Sequence, residues 1–428
     1  MERILRLVKK LIPKGIFSFT QPTYHYFLAF LGAVVYRFPS KEIKVVAVTG
    51  TKGKTSTVEF INTILEEAGL KTALAGTLRF KIGNESKPNL FKMTMPGRLF
   101  IQSFLRKAVN AGCDYAIIEI SSEASKQYRH KFIDLDALIF TNLAPEHIES
   151  HGGFIQYREA KLDIARALQD SCKKEKIIIA NIDDKEGQKF LDIKVDKSIS
   201  YSLSEAKGIS LKDVGVEFSY KNVIFKSKMM GEFNIYNILG AIKFAETQGI
   251  SLGVCQEGIE KLDEIKGRVQ KIQGGQLFDV VVDYAHTPDS LKALYVAFGD
   301  SKKICILGNC GGGRDKWKRK EMALIAENYC DEIILTDEDP YDDNPKEIVE
   351  EMSSFMKIKK PDIVMDRREA IALGIKKAGD TIRIVPQKVA VLITGKGTDP
   401  YIMRANGQRE KWSDADVARE ELTKSISI

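Results

Sequence analysis

The sequence contains little of what marks the specialised protein classes. Cysteine is scarce, with 6 in 428 residues and no CxxC pair, so we expect reduced thiols and neither a disulfide framework nor a zinc site. Charge of one sign is not concentrated, because 65 Lys and Arg against 58 Asp and Glu leave only +7. A nucleic-acid partner is therefore not expected. The 44% of hydrophobic residues indicates folded domains of a cytoplasmic protein, two or three of them at roughly 150 residues each.

Long hydrophobic runs are also lacking. The longest, Tyr26–Tyr36 (YFLAFLGAVVY), is too short to span a bilayer comfortably, and no small-residue cleavage site follows it. Before it, Met1–Leu11 has the pattern of a basic amphipathic helix closed by Pro13 and Gly15. We interpret residues 1–40 as a helical N-terminal segment packed on the protein. A reversible anchor on the inner face of an anionic membrane is the alternative.

From Lys44 onward, short apolar runs alternate with longer amphipathic stretches, which is typical of an α/β protein with a mainly parallel sheet. We predict a central phosphate-loop domain over residues 41–265 and a Rossmann-like α/β domain over 266–428, with short strands and turns from 198 to 230. The predicted strands are Val45–Thr49, Tyr115–Ile120, Ala137–Phe140, Ile177–Ala180, Val280–Val282, Lys303–Leu307, Glu332–Leu335 and Val389–Ile393. Predicted helices include Ser56–Ala68 and Ile155–Leu168.

The sharpest motif is VVAVTGTKGKTST, Val45–Thr57. An apolar strand, a glycine-bearing turn and a helix in this order let backbone N–H groups point at phosphate oxygens. Lys54 can then reach the outer phosphates and the Thr55 hydroxyl can hold Mg²⁺. The motif departs from GxxxxGK[ST], since Val48 stands where the first glycine would be. The candidate nucleotide-binding residues of the loop are Gly50, Thr51, Lys52, Gly53, Lys54, Thr55 and Ser56.

Three further segments follow the loop in one order along the chain. They are DYAHTPDSL (Asp283–Leu291), NCGGGRDKWKR (Asn309–Arg319) and GKGTD (Gly395–Asp399). Together with GTKGKTS they resemble the Mur ligases, the ATP-dependent acid:amino-acid ligases that build the peptide of the bacterial cell wall. Over about residues 44–420, the chain looks most like the members that add the third residue to a UDP-muramoyl dipeptide.

The resemblance implies a two-domain ligase that uses ATP and two Mg²⁺ ions. ATP phosphorylates the acceptor carboxylate, and an amine attacks the acyl phosphate to give an amide, ADP and phosphate. A small-molecule acceptor, an amino acid and a monomeric state are expected. Folylpolyglutamate synthetases and pseudomurein-type peptide ligases are alternatives within the same ligase core. An ATP-binding protein that regulates without ligation is the alternative from another class.

Carboxylate, imidazole and lysine groups in the middle of the chain are candidate metal-site residues. Glu119 ends the apolar run YAIIEI, where an ionised carboxylate needs a cation, and we expect Mg²⁺. His147 and His151 lie four residues apart in TNLAPEHIESHGG. The resemblance implies that His147 ligates Mg²⁺ and that His151 is structural. It also implies that Lys161 carries CO₂ as a carbamate, a carboxylate-like group near the second Mg²⁺.

The acceptor-binding residues are also implied by the resemblance. They are Thr94, Met95, Ser121, Gln127 and Arg129. The guanidinium of Arg129 suits a carboxylate, which it can bind in a bidentate manner. Glu123 is a departure, because the family usually has His there, and it puts the usual acceptor in question.

Other groups implied by the resemblance come from the second half of the chain. Asn237 corresponds to a residue near the adenine and Asp283 to one that contacts the ribose. Arg268 corresponds to a cation that reaches the γ-phosphate. The alternative for Arg268 is an ordinary ion pair at a domain surface. Because these groups belong to another domain than the loop, except for Asn237, we expect closure before chemistry.

The incoming amino acid is predicted from a pocket with several acidic groups. Relatives that use meso-diaminopimelate carry Asp-Asn-Pro-Arg, which aligns here with Glu338–Tyr341, so the Arg is absent. Arg314 is left to bind an α-carboxylate. Charge therefore favours a cationic side chain such as that of L-lysine, with diaminopimelate and other amino acids as alternatives. The predicted pocket residues are Arg314, Glu338, Asp339, Tyr341, Gly395 and Asp399.

The N-terminal region is the main departure from the family. The members that the chain resembles begin with a domain that binds uridine diphosphate, whereas only forty mostly apolar or basic residues precede the loop region here. Either another surface holds the nucleotide tail, or the acceptor is altered. A lipid-linked acceptor would also explain a membrane-associated N-terminal segment.

Overall fold

The computed structural model describes residues 14–146, 148–212, 214–384 and 386–426. The predicted helix Met1–Leu11 and the predicted metal ligand His147 lie outside these residues. The chain divides into two compact units. The first comprises the described residues of 1–143, 158–201 and 240–250, and the second those of 144–157, 202–239 and 251–428.

The first unit is built on one mixed sheet, with the strand order β4-β3-β2-β5-β1-β6-β7-β8. Its strands are β1 (Lys44–Thr49), β2 (Thr72–Ala75), β3 (Arg79–Ile82), β4 (Glu85–Pro88), β5 (Tyr115–Glu119), β6 (Ala137–Phe140), β7 (Ile177–Asn181) and β8 (Lys197–Tyr201). Neighbours from β2 through β8 are parallel, and β3 and β4 are antiparallel additions. The four strands predicted in this part are confirmed to within one residue at each end. Their continuous apolar runs are recognisable because parallel strands are covered on both faces.

Helices alternate with these strands. As far as β8 they are α1 (Lys14–Val35), α2 (Lys54–Glu67), α3 (Arg98–Asn110), α4 (Ser122–Lys126), α5 (Ile148–His151), α6 (Phe154–Gln169) and α7 (Gly187–Leu191). The helix α2 follows β1 directly after the glycine-bearing turn, as predicted. This strand-turn-helix order directs the N-terminus of α2 toward the carboxyl end of the parallel strands.

The N-terminal helix α1 packs on α3. A Cβ on Gly32 would lie 3.4 Å from Leu99, so the absence of a side chain there lets the two helices approach closely. The outer face of α1 remains apolar, with Phe27 59% exposed. Gly15 lies inside α1, whereas the helix Met1–Leu11 that Pro13 and Gly15 are predicted to close lies outside the described residues. Among the described residues, none of the helices has the length and apolar character needed to cross a membrane.

The second unit contains a six-stranded sheet in the order β12-β13-β17-β14-β15-β16. The strands of this sheet are β12 (Gln270–Lys271), β13 (Asp279–Asp283), β14 (Lys302–Leu307), β15 (Glu332–Leu335), β16 (Asp362–Ile363) and β17 (Val389–Thr394). All pairs are parallel except β12 with β13. A short antiparallel pair, β18 (Tyr401–Met403) and β19 (Arg409–Lys411), follows it. The Rossmann-like α/β prediction is confirmed.

The segment predicted as short strands divides between two sheets. Its first residues belong to β8, which extends the parallel sheet of the first unit. The rest forms a three-stranded antiparallel sheet in the order β11-β10-β9. Its strands are β9 (Lys207–Lys212), β10 (Gly215–Tyr220) and β11 (Val223–Ser227).

The six-stranded sheet is covered on both faces. The remaining helices are α8 (Phe233–Thr247), α9 (Leu252–Glu260), α10 (Pro288–Ala297), α11 (Lys318–Tyr329), α12 (Pro345–Phe355), α13 (Arg367–Ile384) and α14 (Asp414–Ile426). Cys305 and Leu307 of β14 pack with residues of α10, α11 and α12. Ile304 and Ile306 of the same strand pack with α13 and α14. This alternation follows from the two-residue period of a strand.

A disulfide joins Cys305 on β14 to Cys330, directly after α11. The expectation of reduced thiols is wrong for this pair. The parallel crossover through α11 brings the chain back beside β14, so two cysteines 25 residues apart come to a Cα separation of 6.0 Å. The spacing of cysteines along the sequence does not reveal this proximity, because it is a property of the crossover.

A fully buried ion pair connects the N-termini of α13 and α14 within the second unit. Arg367 donates from Nε and Nη2 to the two oxygens of Asp414, each at 2.8 Å. The same guanidinium donates to Thr394 O at 2.8 Å, and Trp412 donates to Asp414. Burial opposes the charged form, but the carboxylates of Asp414, Glu338 and Asp337 together outweigh it and raise the pKa of Arg367. The charges of Arg367 and Asp414 therefore neutralise each other in the interior of the second unit.

Replacing one partner of this pair leaves the other charge buried alone. We expect Asp414→Ala to lower the free energy of unfolding of the second unit by about 3–5 kcal/mol. The matched control is Asp416→Ala in the same helix turn, whose partner Arg419 is half exposed, and it should cost about 0.5 kcal/mol or less. Urea titrations measure both. Equal losses in the two variants would contradict the role given to the buried pair.

Candidate nucleotide and substrate site

The phosphate loop lies between β1 and α2 and is held by the strand next to it. Gly50 has φ +148°, and a Cβ there would collide with the Thr141 side chain. The Thr51 N–H donates to Asn142 O at 2.8 Å, and the Lys52 N–H donates to Asn142 Oδ1 at 2.9 Å. The loop therefore has a defined shape in which only glycine fits the first turn position.

Two lysine ammonium groups converge on one carbonyl of this loop. Lys54 donates to Gly50 O at 2.9 Å, and Lys161 of α6 donates to the same oxygen at 2.7 Å. Lys54 also donates to Thr51 O. Lys161 is only 1% exposed. Two positive charges at one carbonyl produce a local field suited to phosphate oxygens.

A buried carboxylate faces the hydroxyl of the loop threonine. Glu119, at the end of β5, is 1% exposed. Thr55 donates to its Oε2 at 3.2 Å. Thr77 holds the same carboxylate twice, through its N–H at 2.8 Å and through its hydroxyl at 2.9 Å. These bonds orient an acid that the strand order places beside the loop, because β5 and β1 are adjacent and parallel.

The donor set at this point fits Mg²⁺. A carboxylate of Glu119 and a hydroxyl of Thr55 are the hard oxygen ligands that this ion prefers. In the part of the chain that the structure describes, no group of three or more His, Cys, Asp or Glu side chains is gathered as a metal site. An ion that keeps several water ligands, as Mg²⁺ does, needs no such group. His147 stays a prediction.

The predicted acceptor residues lie along one strip of the first unit. The Thr94 Oγ1 is 3.0 Å from Thr77 Oγ1, and the next residue, Met95, accepts a hydrogen bond from Arg129 at its carbonyl. Arg129 also donates to Gln127 Oε1 at 2.8 Å. A series of contacts therefore leads from the Glu119 carboxylate to the Arg129 guanidinium.

Ser121 and Glu123 have structural contacts in the same strip. The Ser121 hydroxyl caps α4 by accepting from the Ala124 N–H. Glu123 accepts a hydrogen bond from the Gln127 side-chain amide at 2.6 Å. Burial lowers the pKa of Arg129, and the negative charge of Glu123 offsets only part of this effect. The unusual acid thus orients Gln127 rather than neutralising a basic partner directly.

In the second unit, Arg268 lies beside the DYAH segment, which begins with Asp283. The Arg268 guanidinium lies 4.8 Å from the ring centroid of Tyr284. Asp283 accepts the N–H groups of Val269 and Ala285, each at 2.7 Å. Both carboxylate oxygens of the predicted ribose contact therefore support the local backbone. Asn237, the predicted adenine neighbour, is buried on α8 and donates to Asn234.

The predicted amino-acid pocket contains a buried acid and a strained tyrosine. Glu338 is 2% exposed and accepts from the Cys310 thiol at 3.0 Å. Burial raises the pKa of Glu338. Tyr341 has φ +53° and forms a side-chain hydrogen bond with Arg314. A Cβ on Gly395 would collide with the Glu338 carboxylate, so this glycine makes room for the acid.

A buried lysine that the motif analysis did not single out changes the charge of this pocket. Lys396 is 0% exposed and donates to Asp339 at 2.9 Å and to Tyr401 O at 2.7 Å. Its Nζ is also 3.4 Å from Asp399. The acids counted as free negative charges in the sequence are thus partly neutralised. The charge argument for a cationic amino-acid side chain is correspondingly weaker.

Two other residues were missed by the sequence reasoning. Asn142 lies two residues after the end of β6. Because the carboxyl ends of neighbouring parallel strands meet at one edge of the sheet, its position in the sequence could have indicated a contact with the loop. His286 lies with Nδ1 2.6 Å from Tyr284 O and Nε2 3.0 Å from Glu146. Each ring nitrogen thus lies within hydrogen-bonding distance of an oxygen. No local sequence pattern indicates the contact between His286 and Glu146, because the two residues are 140 positions apart.

Comparison with known proteins agrees with this arrangement. The family model of the Mur ligase middle domain matches residues 48–245, and that of the Mur ligase glutamate ligase domain matches 267–397. A UDP-N-acetylmuramoyl-L-alanyl-D-glutamate–2,6-diaminopimelate ligase of Syntrophomonas wolfei is 35% identical over 94% of this chain and 83% of its own length. The Bacillus cereus protein with the same description is 32% identical over 92% of this chain and 81% of its own.

Solved structures show the same architecture. A UDP-N-acetylmuramoyl-L-alanyl-D-glutamate–2,6-diaminopimelate ligase has a TM-score of 0.60 at 26% identity, covering 90% of this chain and 79% of that one. A folylpolyglutamate synthase of Mycobacterium tuberculosis reaches 0.70 at 12% identity, covering 94% and 95%. The second likeness is of fold alone, because one fold can carry different functions.

The position of Glu119 depends on a glycine. A Cβ on Gly76 would lie 2.5 Å from Glu119 Oε1, so we expect Gly76→Ala to push the carboxylate away from Thr55. The Mg²⁺ concentration needed for half-maximal ATP binding should then rise about tenfold or more. Calorimetric titration of ATP at several Mg²⁺ concentrations measures this. Gly97→Ala is the control, because a Cβ there meets nothing within 4 Å; an unchanged Mg²⁺ dependence in Gly76→Ala would contradict the role of Glu119.

Proposed function

This chain belongs to the Mur ligase family, and we propose that it joins the carboxylate of a UDP-muramoyl dipeptide to a diamino acid with consumption of ATP. The observation that carries the proposal is the convergence of Lys54, Lys161 and Glu119 on the phosphate loop, in a chain similar over nearly its whole length to ligases of this description.

The chemistry divides into two balanced steps. The acceptor carboxylate oxygen forms a bond to the γ-phosphorus while the bond to the β-γ bridging oxygen breaks, which yields an acyl phosphate and ADP. The amine nitrogen then attacks the acyl carbon, phosphate leaves, and the amine proton passes to solvent or phosphate. Lys54 neutralises charge on the transferred phosphoryl group, and Arg129 holds the acceptor. Mg²⁺, held by Thr55 and Glu119, supplies charge neutralisation at the phosphate oxygens.

We also propose that Lys161 acts as a carbamate. Its neutral amine attacks CO₂, a nitrogen–carbon bond forms, and relative to the ammonium form two protons pass to solvent. The modified nitrogen keeps one N–H for Gly50 O, the acceptor that Lys161 contacts at 2.7 Å. Conversion to an anion also removes one of the two positive charges that meet at this oxygen. The role of Arg268 at the γ-phosphate and a second Mg²⁺ stay predictions.

The incoming amino acid is proposed as a diamino acid, on the strength of the similarity to ligases described as using 2,6-diaminopimelate. Arg314 is the group offered to a carboxylate of this substrate. Since Lys396 neutralises part of the acidic pocket, charge alone does not select lysine over diaminopimelate. Membrane contact of residues 1–40 and a lipid-linked acceptor stay predictions, for which the exposed apolar face of α1 is the supporting feature.

Phosphate release measured over a matrix of substrates tests the proposed function. UDP-muramoyl-L-Ala-D-Glu and a glutamyl folate are crossed against lysine, diaminopimelate, ornithine and glutamate. We expect release that requires both the muramoyl acceptor and a diamino acid, because an acyl phosphate forms only on the acceptor and turns over only with an amine. Release that needs the folate and glutamate, or that ignores both substrates, would contradict the proposal.

The carbamate has its own test. Lys161→Ala should lower kcat about 100-fold or more, since it removes a charged group beside the transferred phosphoryl. Acetate or formate should restore part of the activity, and ¹³C-labelled bicarbonate should give a carbamate signal in the unsubstituted protein only. Lys174→Ala, at an exposed position of the same unit, is the control and should keep full activity. Full turnover in Lys161→Ala would remove the residue from the site.

A further inference from the structure

Two arginines of the first unit lie on either side of Gln127. Arg98, the first residue of α3, donates from Nε to Gln127 O at 2.9 Å. Arg129 donates from Nη2 to Gln127 Oε1 at 2.8 Å. Only Arg129 belongs to the motif that suggested acceptor binding; Arg98 lies outside it. The structure therefore adds a second guanidinium, that of Arg98, to the predicted acceptor-binding residues.

Neither guanidinium has a carboxylate partner among the described residues, and each keeps an unused donor. Within that part of the chain, Arg98 Nη2 and Arg129 Nε are buried without a hydrogen-bond acceptor. Arg129 is 8% exposed. A buried charged donor without an acceptor destabilises a fold. An arrangement of this kind persists at functional sites, where a ligand supplies the missing acceptor.

The two charges also repel each other. Burial, with a further contribution from the charge of Arg129, lowers the pKa of Arg98 to about 10. Burial lowers the pKa of Arg129, and Glu123 opposes this only in part. Both groups are still protonated near neutral pH. Two positive charges thus remain in one place, and the carboxylate of Glu123 acts on only one of them, that of Arg129.

The position of the pair suits the part of the acceptor remote from the reacting carboxylate. The contacts from Glu119 through Thr77 and Thr94 end at Met95, whose carbonyl accepts from Arg129. On the far side, α1 packs against the segment that carries the pair, with the rings of Tyr26 and Tyr128 6.1 Å apart. The N-terminal helix therefore supports one side of the pair.

We propose that Arg98 and Arg129 together bind an oxyanion of the acceptor, with Arg98 as a specificity-determining residue outside the recognised motif. Arg98 Nη2 and Arg129 Nε donate to the anion, whose charge relieves their mutual repulsion. The oxyanion is either a second carboxylate of the peptide or the diphosphate of its carrier. The inference rests on the proposed function in one respect, namely that the ligand is the acceptor substrate.

Steady-state kinetics of Arg98→Gln test the assignment in the full chain. We expect KM for the acceptor to rise about tenfold or more, with KM for ATP unchanged. Arg98→Lys, which keeps the charge, should recover part of the loss. Because Arg98 repels Arg129 in the ligand-free protein, Arg98→Gln should not lower the thermal midpoint appreciably, whereas a structural arginine would lower it. Lys107→Gln, at an exposed position of the same helix, is the control and should leave both KM values unchanged.

A binding measurement keeps the test independent of turnover. The full chain is saturated with ADP and Mg²⁺, so that the phosphate loop is occupied, and is titrated with N-acetyl-L-alanyl-D-glutamate or with UDP-N-acetylglucosamine. Weaker binding of the first probe to Arg98→Gln identifies the peptide carboxylate, and weaker binding of the second identifies the diphosphate. Affinities within twofold of the unsubstituted protein for both probes would overturn the assignment. Absence of substrate-dependent phosphate release in the unsubstituted protein would instead count against the proposed function.

Discussion

The carbonyl oxygen of Gly50 accepts hydrogen bonds from two lysine ammonium groups, and the proposed phosphate site is built around this contact. Lys54 reaches it from the first turn of α2, and Lys161 from the buried face of α6. The loop that carries Gly50 is in turn held by Asn142, at the end of the neighbouring strand. Three elements separated along the chain thus support one loop. Their contacts fix the loop at the place where the phosphate oxygens of ATP are proposed to bind.

The proposed sites differ in how far their charged side chains are neutralised by neighbouring residues. Among the predicted acceptor-binding residues, the guanidinium groups of Arg98 and Arg129 share one glutamine, Gln127. In the second unit the charges are of opposite sign, because Lys396 pairs with Asp339 and Asp399 and neutralises them in part. Charge that is left unmet marks the places where an anionic substrate is expected, whereas the balanced cluster supports the backbone of the GKGTD segment.

Much of the fold was predictable because the parallel strands are covered on both faces and therefore consist of continuous apolar runs. The strands at Val45, Tyr115, Ala137 and Glu332 were found for this reason. The phosphate loop was predictable because its chemistry depends on residues adjacent in sequence. Thr77 was not predictable, since its hold on Glu119 joins residues 42 positions apart.

The sequence by itself determined the alternation of strands and helices, the strand-turn-helix of the nucleotide loop and the order of the family motifs. The tertiary structure alone decided which charged side chains are paired with an opposite charge. It pairs Lys396 with Asp339, leaves Arg98 beside Arg129, and brings Cys305 to Cys330. The physical reason is that local patterns follow from backbone periods and turn chemistry, which involve neighbouring residues. Charge balance and cysteine proximity instead depend on which distant segments the crossovers place side by side.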